Sequence, residues 1–436
     1  MRPSDPDEAA WSEILSSYAR ARRNGSHDGH AISVPRAVST ATRAMVSYYH
    51  ALGLWRGGQI EAAADAAETV ASNREAAISA LGTELLGFIE AERHRWPTAA
   101  RRFMEVIDLL SHERPADEYV RASSLHAVSS IMVETLDLDL APRIIEASNT
   151  LRQTGGIARV VMQTRVHVAL AQSLLGDDAG CYQTLLTARM ADVPPPFRAV
   201  PDLALSAFHR RRGHLELARF HLDIAQGNMA ETDWGCSDLE ARLVLVSFAA
   251  EAALIESKRA GTALTKALSF TGRRDPLLAF EHDERAAFLA LLARGRIAMQ
   301  RGRTEDAIRD IETAISGWQR IGYLYRAAVA SLDLARVTMT TQSLGPAQSA
   351  LRHVPNSWLG SAAQTIEEEI ASPFASLSPA ELRVVDGICA GKTSRQIAAD
   401  LKRSPMTVRN QTISIFRKVG VTTRSALVAK IKARQT

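Results

Sequence analysis

The chain has 436 residues, of which 46% are hydrophobic and 23% charged, and its formal net charge is +4 at pH 7. That length is sufficient for two or three domains with a substantial core. Residues 377–436 carry 12 basic and 3 acidic residues, whereas residues 1–376 carry 40 basic and 45 acidic residues. Because the basic excess is confined to the C-terminal end, we expect any binding of phosphate groups there. The alternative is a tail that only keeps the protein soluble.

The remaining bulk features argue against a secreted, membrane-inserted or disulfide-bonded protein. The first residues lack the basic and apolar regions of a signal peptide. The most apolar window, residues 243–255, is too short to span a bilayer. The cysteines Cys181, Cys236 and Cys389 are far apart and odd in number, which indicates neither a disulfide framework nor a zinc site. We therefore expect a soluble, cytoplasmic protein.

Residues 1–376 follow a helical pattern and show no convincing alternation of β-branched residues. A spacing of small and large apolar residues recurs, most clearly at Gly295, Ala298, Gly302, Ala307, Ile311 and Ala314. It resembles the spacing of a tetratricopeptide repeat, in which small residues let two antiparallel helices approach closely, although the tryptophan and tyrosine positions of that repeat are not kept.

Eight copies of this pattern follow one another at spacings of 37 to 47 residues. The central small residues are Ala63, Ala100, Ala141, Cys181, Ala218, Ala260, Ala307 and Ala347. Such a period predicts an all-α solenoid of helix pairs in which each unit packs only against its neighbours. The alternative is a less regular helical array. Loops are predicted at residues 24–35, 194–196 and 272–276, which are rich in Gly, Pro or Ser.

We divide the chain into a helical-repeat domain at residues 1–370, a linker at residues 371–376 and a C-terminal domain at residues 377–436. The tryptophans are expected to pack between helix pairs; alternatively, some line a concave groove that captures a peptide or another protein. They are Trp11, Trp55, Trp96, Trp234, Trp318 and Trp358.

Three helix starts follow one another in the C-terminal domain, and each has its own cap. The caps are Ser378 with Pro379 and Glu381, Thr393 with Gln396, and Ser404 with Pro405. Gly391 is placed to end the first helix. The pattern predicts a helix, a short break, a nine-residue helix, a three-residue turn and a longer helix, which together form a helix-turn-helix.

The third of these helices is predicted to have a buried and an outward side. The buried side consists of Val408, Ile415 and Val419, with Gln411 and Thr412 beside them. It can pack on Leu382, Val385, Ile397 and Leu401. The outward side presents Met406, Arg409, Asn410, Ile413 and Arg417. A short helix that shows an arginine and an asparagine from its first turns has the shape that enters a DNA major groove.

This segment, from Leu377 to about Val428, resembles the C-terminal DNA-binding domain of LuxR-type (GerE-like) bacterial transcription regulators. The shared motifs are Leu377-Ser378-Pro379-x-Glu381, Gly391, Ile397-Ala398-x-x-Leu401, Ser404-x-x-Thr407-Val408-Arg409, Arg417-Lys418-Val419-Gly420-Val421 and Arg424-x-x-Leu427. The chain departs from the family at Gln411, where His is usual, and at Ile413, where a small or polar residue is usual. The resemblance implies binding to double-stranded DNA and dimerisation through a fourth helix at Thr423–Lys432.

The candidate DNA-binding residues are Thr393, Arg395, Ser404, Met406, Thr407, Arg409, Asn410, Ile413, Arg417 and Lys418. Arg409 and Asn410 are expected to reach base edges, whereas Thr407 and Lys418 are expected to contact phosphates. Alternatively, Arg409 contacts only phosphate. The candidate dimerisation residues are Leu427, Val428 and Ile431.

No pattern indicates a catalytic, metal or cofactor site. Residues 390–393 (AGKT) resemble the end of a phosphate-binding loop, but the preceding glycine is absent because Asp386 stands at its position. The cluster His27-Asp28-Gly29-His30 has no further ligand nearby, and Asp137-Leu138-Asp139 lacks the glycine and distal glutamate of a calcium loop. We therefore expect neither an enzyme nor a cofactor.

The sequence thus predicts a transcription regulator that binds DNA as a homodimer and whose repeat domain senses or recruits a protein or peptide, with RNA polymerase as one candidate partner. The alternative is a protein-interaction scaffold whose helix-turn-helix lacks operator specificity. Arg409 and Asn410 favour the regulator, because a vestigial domain would not need two side chains that can hydrogen-bond to base edges.

Overall fold

The computed structural model describes residues 39–110, 117–151, 157–230, 239–281, 283–372, 374 and 377–435. Within these ranges all regular secondary structure is helical, and no helix there is long and apolar enough to cross a membrane. The predicted loop at residues 24–35 with its cluster His27-Asp28-Gly29-His30, together with Trp11, Trp234 and Cys236, lies outside the described residues.

The described α-helices before residue 372 pack mainly as consecutive pairs, with short 3-10 helices at Leu138–Leu140 and Thr341–Leu344. They are α1 (Thr40–Arg56), α2 (Ile60–Ala71), α3 (Ala76–Glu92), α4 (Trp96–Leu109), α5 (Glu118–Thr135), α6 (Ala141–Asn149), α7 (Ala158–Leu174), α8 (Asp178–Arg189), α9 (Ala199–Arg211), α10 (Leu215–Ala230), α11 (Leu239–Ala252), α12 (Ser257–Ser269), α13 (Pro276–Ala279), α14 (Glu284–Gln300), α15 (Thr304–Arg320), α16 (Leu324–Thr338), α17 (Gly345–Ala350) and α18 (Trp358–Ala371).

The eight predicted repeat units coincide with eight helix pairs: α1–α2, α3–α4, α5–α6, α7–α8, α9–α10, α11–α12, α14–α15 and α16–α17. Each predicted central residue, from Ala63 to Ala347, lies within the first five residues of the second helix of its pair, and all eight are buried. The prediction of a helical-repeat fold is therefore confirmed, including the weaker copies at Ala141 and Ala260. The longest spacing, 47 residues, follows from the short helix α13, which is inserted before α14.

Small residues permit the close packing within a pair, as the sequence pattern predicts. A Cβ atom added at Gly295 on α14 would lie 2.7 Å from Cγ1 of Ile311 on α15. One added at Gly317 on α15 would lie 2.4 Å from the ring of Phe288 on α14. Distances this short are sterically forbidden, so a larger residue at either position would push the two helices apart.

The array also makes contacts between units that are far apart in sequence, which differs from the expectation that each unit packs only against its neighbours. Helix α16, of the eighth pair, packs on α5 of the third pair. The Arg326 guanidinium on α16 donates to Oε1 of Glu134 on α5 at 2.7 Å. The indole N–H of Trp96 on α4 donates to the Ile321 carbonyl oxygen, 225 residues away. The first bond joins the third unit to the eighth, and the second joins the second unit to the segment between the seventh and eighth.

Buried ion pairs connect the first helices of neighbouring units. Arg296 on α14 donates to Oδ2 of Asp333 on α16 at 2.7 Å, and both side chains are at least 94% buried. Arg210 on α9 makes two hydrogen bonds, at 2.8 and 3.0 Å, to the carboxylate of Glu251 on α11. Because the Arg296–Asp333 pair is removed from water, loss of Asp333 would leave the Arg296 guanidinium buried without its ion-pair partner.

One carboxyl group of the repeat region is buried without a cation. Glu84 on α3 is 7% exposed, and its hydrogen-bond donors are the hydroxyls of Ser123 and of Ser124, the latter at 3.4 Å. Burial raises the pKa of the Glu84 carboxyl to about 7, because neutral hydroxyls compensate only part of the cost of removing a carboxylate from water.

The C-terminal helices form a small unit with its own core. They are α19 (Pro379–Cys389), α20 (Ser394–Asp400), α21 (Pro405–Val419) and α22 (Arg424–Gln435). The buried apolar residues at their centre are Leu377, Val384, Val385, Ile388, Ile397, Ala398, Val408, Ile415, Val419 and Leu427. Helices α19 and α20 approach closely at Gly387, where an added Cβ would lie 2.6 Å from Cγ1 of Ile397.

Candidate nucleic-acid interface

The helix starts of the C-terminal unit are capped as the sequence predicts. The Ser378 hydroxyl accepts from the Glu381 backbone N–H at 3.3 Å, and the Glu381 carboxylate accepts from the Ser378 N–H at 2.8 Å. Thr393 and Gln396 exchange the same two bonds, and Ser404 accepts from the Thr407 N–H at 3.0 Å. The capping spacings in the sequence therefore place the beginnings of α19, α20 and α21 correctly.

The turn between α20 and α21 differs from the prediction. Helix α20 has seven residues instead of nine, and the four residues Leu401–Ser404 form the turn. Lys402 adopts the left-handed conformation, with φ of +53°. The Lys402 N–H donates to the Ala399 carbonyl at 3.2 Å and the Arg403 N–H to the Ala398 carbonyl at 2.8 Å. These bonds form a Schellman motif, which ends the helix although no glycine is present.

A buried glutamate joins the start of α19 to the end of α21. Besides capping α19, the Glu381 carboxylate accepts from Ser414 at 2.8 Å and from the Lys418 ammonium at 2.7 Å. The bond from Lys418 and the bond from the Ser378 backbone lower the pKa of Glu381 to about 2. Lys418 was predicted to contact a phosphate, but it has an acidic partner inside the unit, and about a third of its side chain is exposed.

Helix α21 has one buried and one outward side, as its sequence predicts. Val408, Thr412, Ile415 and Val419 are buried. Arg409, Asn410 and Arg417 are exposed, and the outward side also carries Met406 and Ile413, which are 63% and 60% exposed. One predicted packing partner is wrong: Leu382 does not cover α21 but is 43% exposed, because it lies on the outer side of α19.

The outward side of α21 lies in a region of exposed positive charge. Arg395 on α20 and Lys402 and Arg403 in the turn are exposed, as are Arg409 and Arg417. Among the described residues of the C-terminal unit, ion pairs occur only between Lys392 and Asp400 and between Lys418 and Glu381. Lys402 and Arg403 were not among the predicted site residues; their position directly before the Ser404 cap is the signal that could have identified them.

The predicted hydroxyl ligands lie at the starts of two helices. Thr393 and Ser404 are exposed, and Thr407 is half-buried. The Thr407 and Ser404 hydroxyls bond to each other at 2.8 Å, and the Thr393 hydroxyl donates to the Gln396 side chain at 3.0 Å. The first-turn N–H groups of a helix favour anions, so these positions are suited to phosphate contacts.

The three predicted dimerisation residues on α22 differ in burial. Leu427 is fully buried in the core of the unit, so its expected role in an intermolecular contact is corrected to packing. Val428 and Ile431 are half-buried at the edge of that core. Two cations hold α22 in place: Arg424 donates to the Lys392 carbonyl at 3.0 Å, and Lys430 donates to the Val419 carbonyl at 2.9 Å.

No phosphate-binding loop forms at residues 390–393, where Gly391 has a φ of +73° after α19 and Thr393 caps α20. Within the described ranges, no group of three or more His, Cys, Asp or Glu side chains is arranged to hold a metal ion.

Comparison with known proteins gives three findings. The family model described as "Bacterial regulatory proteins, luxR family" matches residues 375–431, and this segment is a LuxR-family helix-turn-helix domain. Among solved structures, a Rap protein complexed with competence and sporulation factor is similar at 10% identity and a TM-score of 0.41, over 80% of this chain and 100% of that chain. The search of curated proteins found no match.

Proposed function

We propose that this protein is a sequence-specific transcription regulator that places α21 in the major groove of double-stranded DNA. In this proposal, residues 1–370 are a sensing or recruiting domain, residues 371–376 a linker, and residues 377–436 the DNA-binding domain. One observation carries the proposal: Arg409 and Asn410 are exposed side by side near the start of a helix whose opposite side is buried, within a region of exposed positive charge.

The residues of this surface have different roles. Arg409 and Asn410 can form paired hydrogen bonds with guanine and adenine edges, respectively. Thr393, Arg395, Ser404 and Thr407, together with the turn residues Lys402 and Arg403, contact phosphates and fix the register of the helix. Arg417 reaches the backbone further along the groove. Lys418 contributes to DNA binding mainly by fixing the position of α21, because its ammonium group donates a hydrogen bond to Glu381 at 2.7 Å.

The first test is selection of bound sequences from a random DNA pool with the full-length protein, followed by titration of the selected operator. Arg409→Ala should weaken operator binding by roughly 1–3 kcal/mol and relax the preference at one base pair. Asn410→Ala should relax a neighbouring position. Arg101→Ala, an exposed arginine of α4 (67% exposed side chain), is the matched control and should leave binding unchanged.

Two results would count against sequence reading. If the pool yields no preferred sequence, the protein is the scaffold without operator specificity. If Arg409→Ala weakens binding equally to all single-base variants of the operator, Arg409 contacts a phosphate and does not read a base. The affinity of the intact protein should also fall with salt, by about 0.9 log units per log unit of salt for each phosphate neutralised.

The proposed assembly on DNA is a homodimer formed through the exposed edge of α22. Val428 and Ile431 remain partly accessible there, although Leu427 does not. Val428→Glu should therefore abolish preferential binding to a two-fold operator over a single half-site, while circular dichroism shows that the unit is still folded. Equal affinity of the unmodified protein for the half-site and the two-fold site would contradict the dimer.

A protein or peptide partner, with RNA polymerase among the candidates, is assigned to the repeat region. Pull-down with the full-length protein and with a variant ending at residue 371 would test whether the repeat region is sufficient for capture. Capture by the full-length protein alone would indicate that the partner binds the C-terminal domain.

A further inference from the structure

The outward side of α21 carries two large apolar side chains that the fold does not use. Met406 is 63% exposed and Ile413 is 60% exposed, whereas every other apolar residue of α21 is buried or half-buried, except Pro405 at its first position. Both lie on the stripe that holds Arg409 and Asn410, three or four residues away on either side, so all four side chains project from one face.

We infer that Ile413 and Met406, which lie on the same stripe of α21, each recognise the C5-methyl group of a thymine base in the operator. This inference rests on the proposed function, because it requires α21 to lie in the major groove. The thymine methyl is the distinctive apolar group on a base-pair edge in that groove, and aliphatic side chains contact it directly. Exposed positive charge at Arg395, Lys402, Arg403, Arg409 and Arg417 surrounds the apolar pair, which favours DNA over an apolar protein surface as the occupant.

The spacing along the helix defines what the operator should contain. Met406 and Ile413 are seven positions apart, which corresponds to about 10 Å of helix rise, or about three base-pair steps. The Arg409 and Asn410 side chains lie between them. The expected half-site therefore has a guanine or adenine contact between two thymines, with the thymine opposite Ile413 nearer the C-terminal end of α21.

Replacement of single thymines by deoxyuridine in the selected operator tests the inference, because it removes one methyl group and leaves every hydrogen-bonding atom in place. With the full-length protein, deoxyuridine opposite Ile413 should weaken binding about fourfold, the effect of one buried methyl group. The same replacement at most other positions should have no effect. Ile413→Ala should lower the affinity for the thymine operator and abolish its advantage over the deoxyuridine operator.

Matched variants keep the result interpretable. Leu382→Ala removes an exposed leucine of α19 and should preserve the full preference for thymine. Met406→Ala should abolish the methyl effect at a different position, about three base pairs away. Because Ile413 and Met406 are exposed, both variants should unfold at the same temperature as the unmodified protein.

The possible outcomes separate this inference from the proposed function. An operator whose every thymine tolerates deoxyuridine would overturn methyl recognition but leave sequence-specific binding intact. A thymine preference that persists in Ile413→Ala would assign the methyl contact to another residue and also overturn the inference. Loss of self-association in Ile413→Ala, with an unchanged thymine preference, would show that the apolar pair contacts a second copy of the chain. Failure of the proposed function would instead appear as equal affinity for all DNA sequences.

Discussion

The repeat region and the C-terminal unit each contain a glutamate with little exposed surface, Glu84 and Glu381, and the pKa values of these two carboxyl groups shift in opposite directions. Glu84 and Glu381 are 7% and 6% exposed. The pKa of Glu84 rises to about 7, whereas that of Glu381 falls to about 2. Removal from water is the largest influence on Glu84, whose donors are neutral hydroxyls. For Glu381 the bonds from an ammonium group and a backbone N–H outweigh the smaller cost of removal from water.

The same contrast extends to how the two regions hold their helices. In the repeat region, α1, α8, α13 and α14 have a side-chain cap. By contrast, α3, α5, α7, α9 and α16 begin without a hydrogen bond from a capping side chain. Their positions are set by close packing and by ion pairs between helices. In the C-terminal unit, α19, α20 and α21 each have a side-chain cap. A small core supplies little stabilisation from burial, so local hydrogen bonds contribute a larger share there.

The largest expected effect lies in the repeat region. Asp333→Ala should lower the free energy of unfolding by about 3–5 kcal/mol, because Arg296 is left as a buried, unpaired charge. Urea unfolding followed by tryptophan fluorescence reports on this region alone, since residues 377–436 contain no tryptophan. The double variant Arg296→Met with Asp333→Leu should recover most of the loss. Asp223→Ala, which breaks an exposed pair with Arg259, should cost less than about 1 kcal/mol.

The next effect concerns Glu381. Because its pKa is lower in the folded state than its ordinary 4.5, its stabilisation is complete above pH 4.5 and disappears as the pH falls towards 2. Glu381→Gln should therefore destabilise the C-terminal unit by about 2–3 kcal/mol at pH 7 and by much less near pH 2.5. Thermal unfolding of residues 372–436, followed by circular dichroism, measures this. Asp386→Asn, an exposed carboxylate of α19, is the control; a loss independent of pH would contradict the account.

The contribution of Glu84 to stability should depend on pH in the opposite direction. Its pKa is higher in the folded state than its ordinary 4.5, so its contribution is complete below pH 4.5 and is lost as the pH rises through 7. Glu84→Gln removes that dependence and should stabilise the repeat region by about 1–2 kcal/mol at pH 8 and hardly at all at pH 5. Urea midpoints at the two pH values, read by tryptophan fluorescence, give the comparison. Destabilisation at pH 8 would mean that the carboxylate has an effective cationic partner.

The smallest effect concerns the turn before α21. Lys402 has a φ of +53°, a conformation that glycine adopts without steric cost. Lys402→Gly should therefore stabilise the C-terminal unit by about 0.5–1 kcal/mol. Lys402→Ala removes the same charge but keeps the strain, so it should not stabilise. Both variants should lose the same small amount of DNA affinity if Lys402 contacts a phosphate.

Features set by short sequence spacing could be predicted, and features set by distant contacts could not. The caps at Ser378, Thr393 and Ser404 depend on residues three positions apart, so the sequence shows them directly. The repeat period is visible because each helix pair needs a small residue near the same position. By contrast, the bond between Lys418 and Glu381 joins residues 37 positions apart and follows only from the packing of α21 on α19.

The candidate site shows the same limit. The alternation of buried and outward residues on α21 follows from helical periodicity, so Arg409, Asn410 and Ile413 could be placed outward from sequence. The end of α20 could not be predicted, because a lysine rather than a glycine adopts the left-handed conformation at residue 402. The burial of Leu427 also could not be predicted, because the apolar stripe of α22 fits either the core or a partner.

The contacts between units that are far apart in sequence have a consequence for how the repeat region folds. The bond between Arg326 and Glu134 joins residues 192 apart, and that between Trp96 and Ile321 joins residues 225 apart. A linear repeat array can nucleate anywhere and gain stability one unit at a time. Here, the closing contacts form only after the intervening units have ordered the chain, because the loop entropy of closure is otherwise uncompensated. These contacts raise the contact order of the region, so units two to eight should unfold as one cooperative block. That block should also refold more slowly than an open array of equal length.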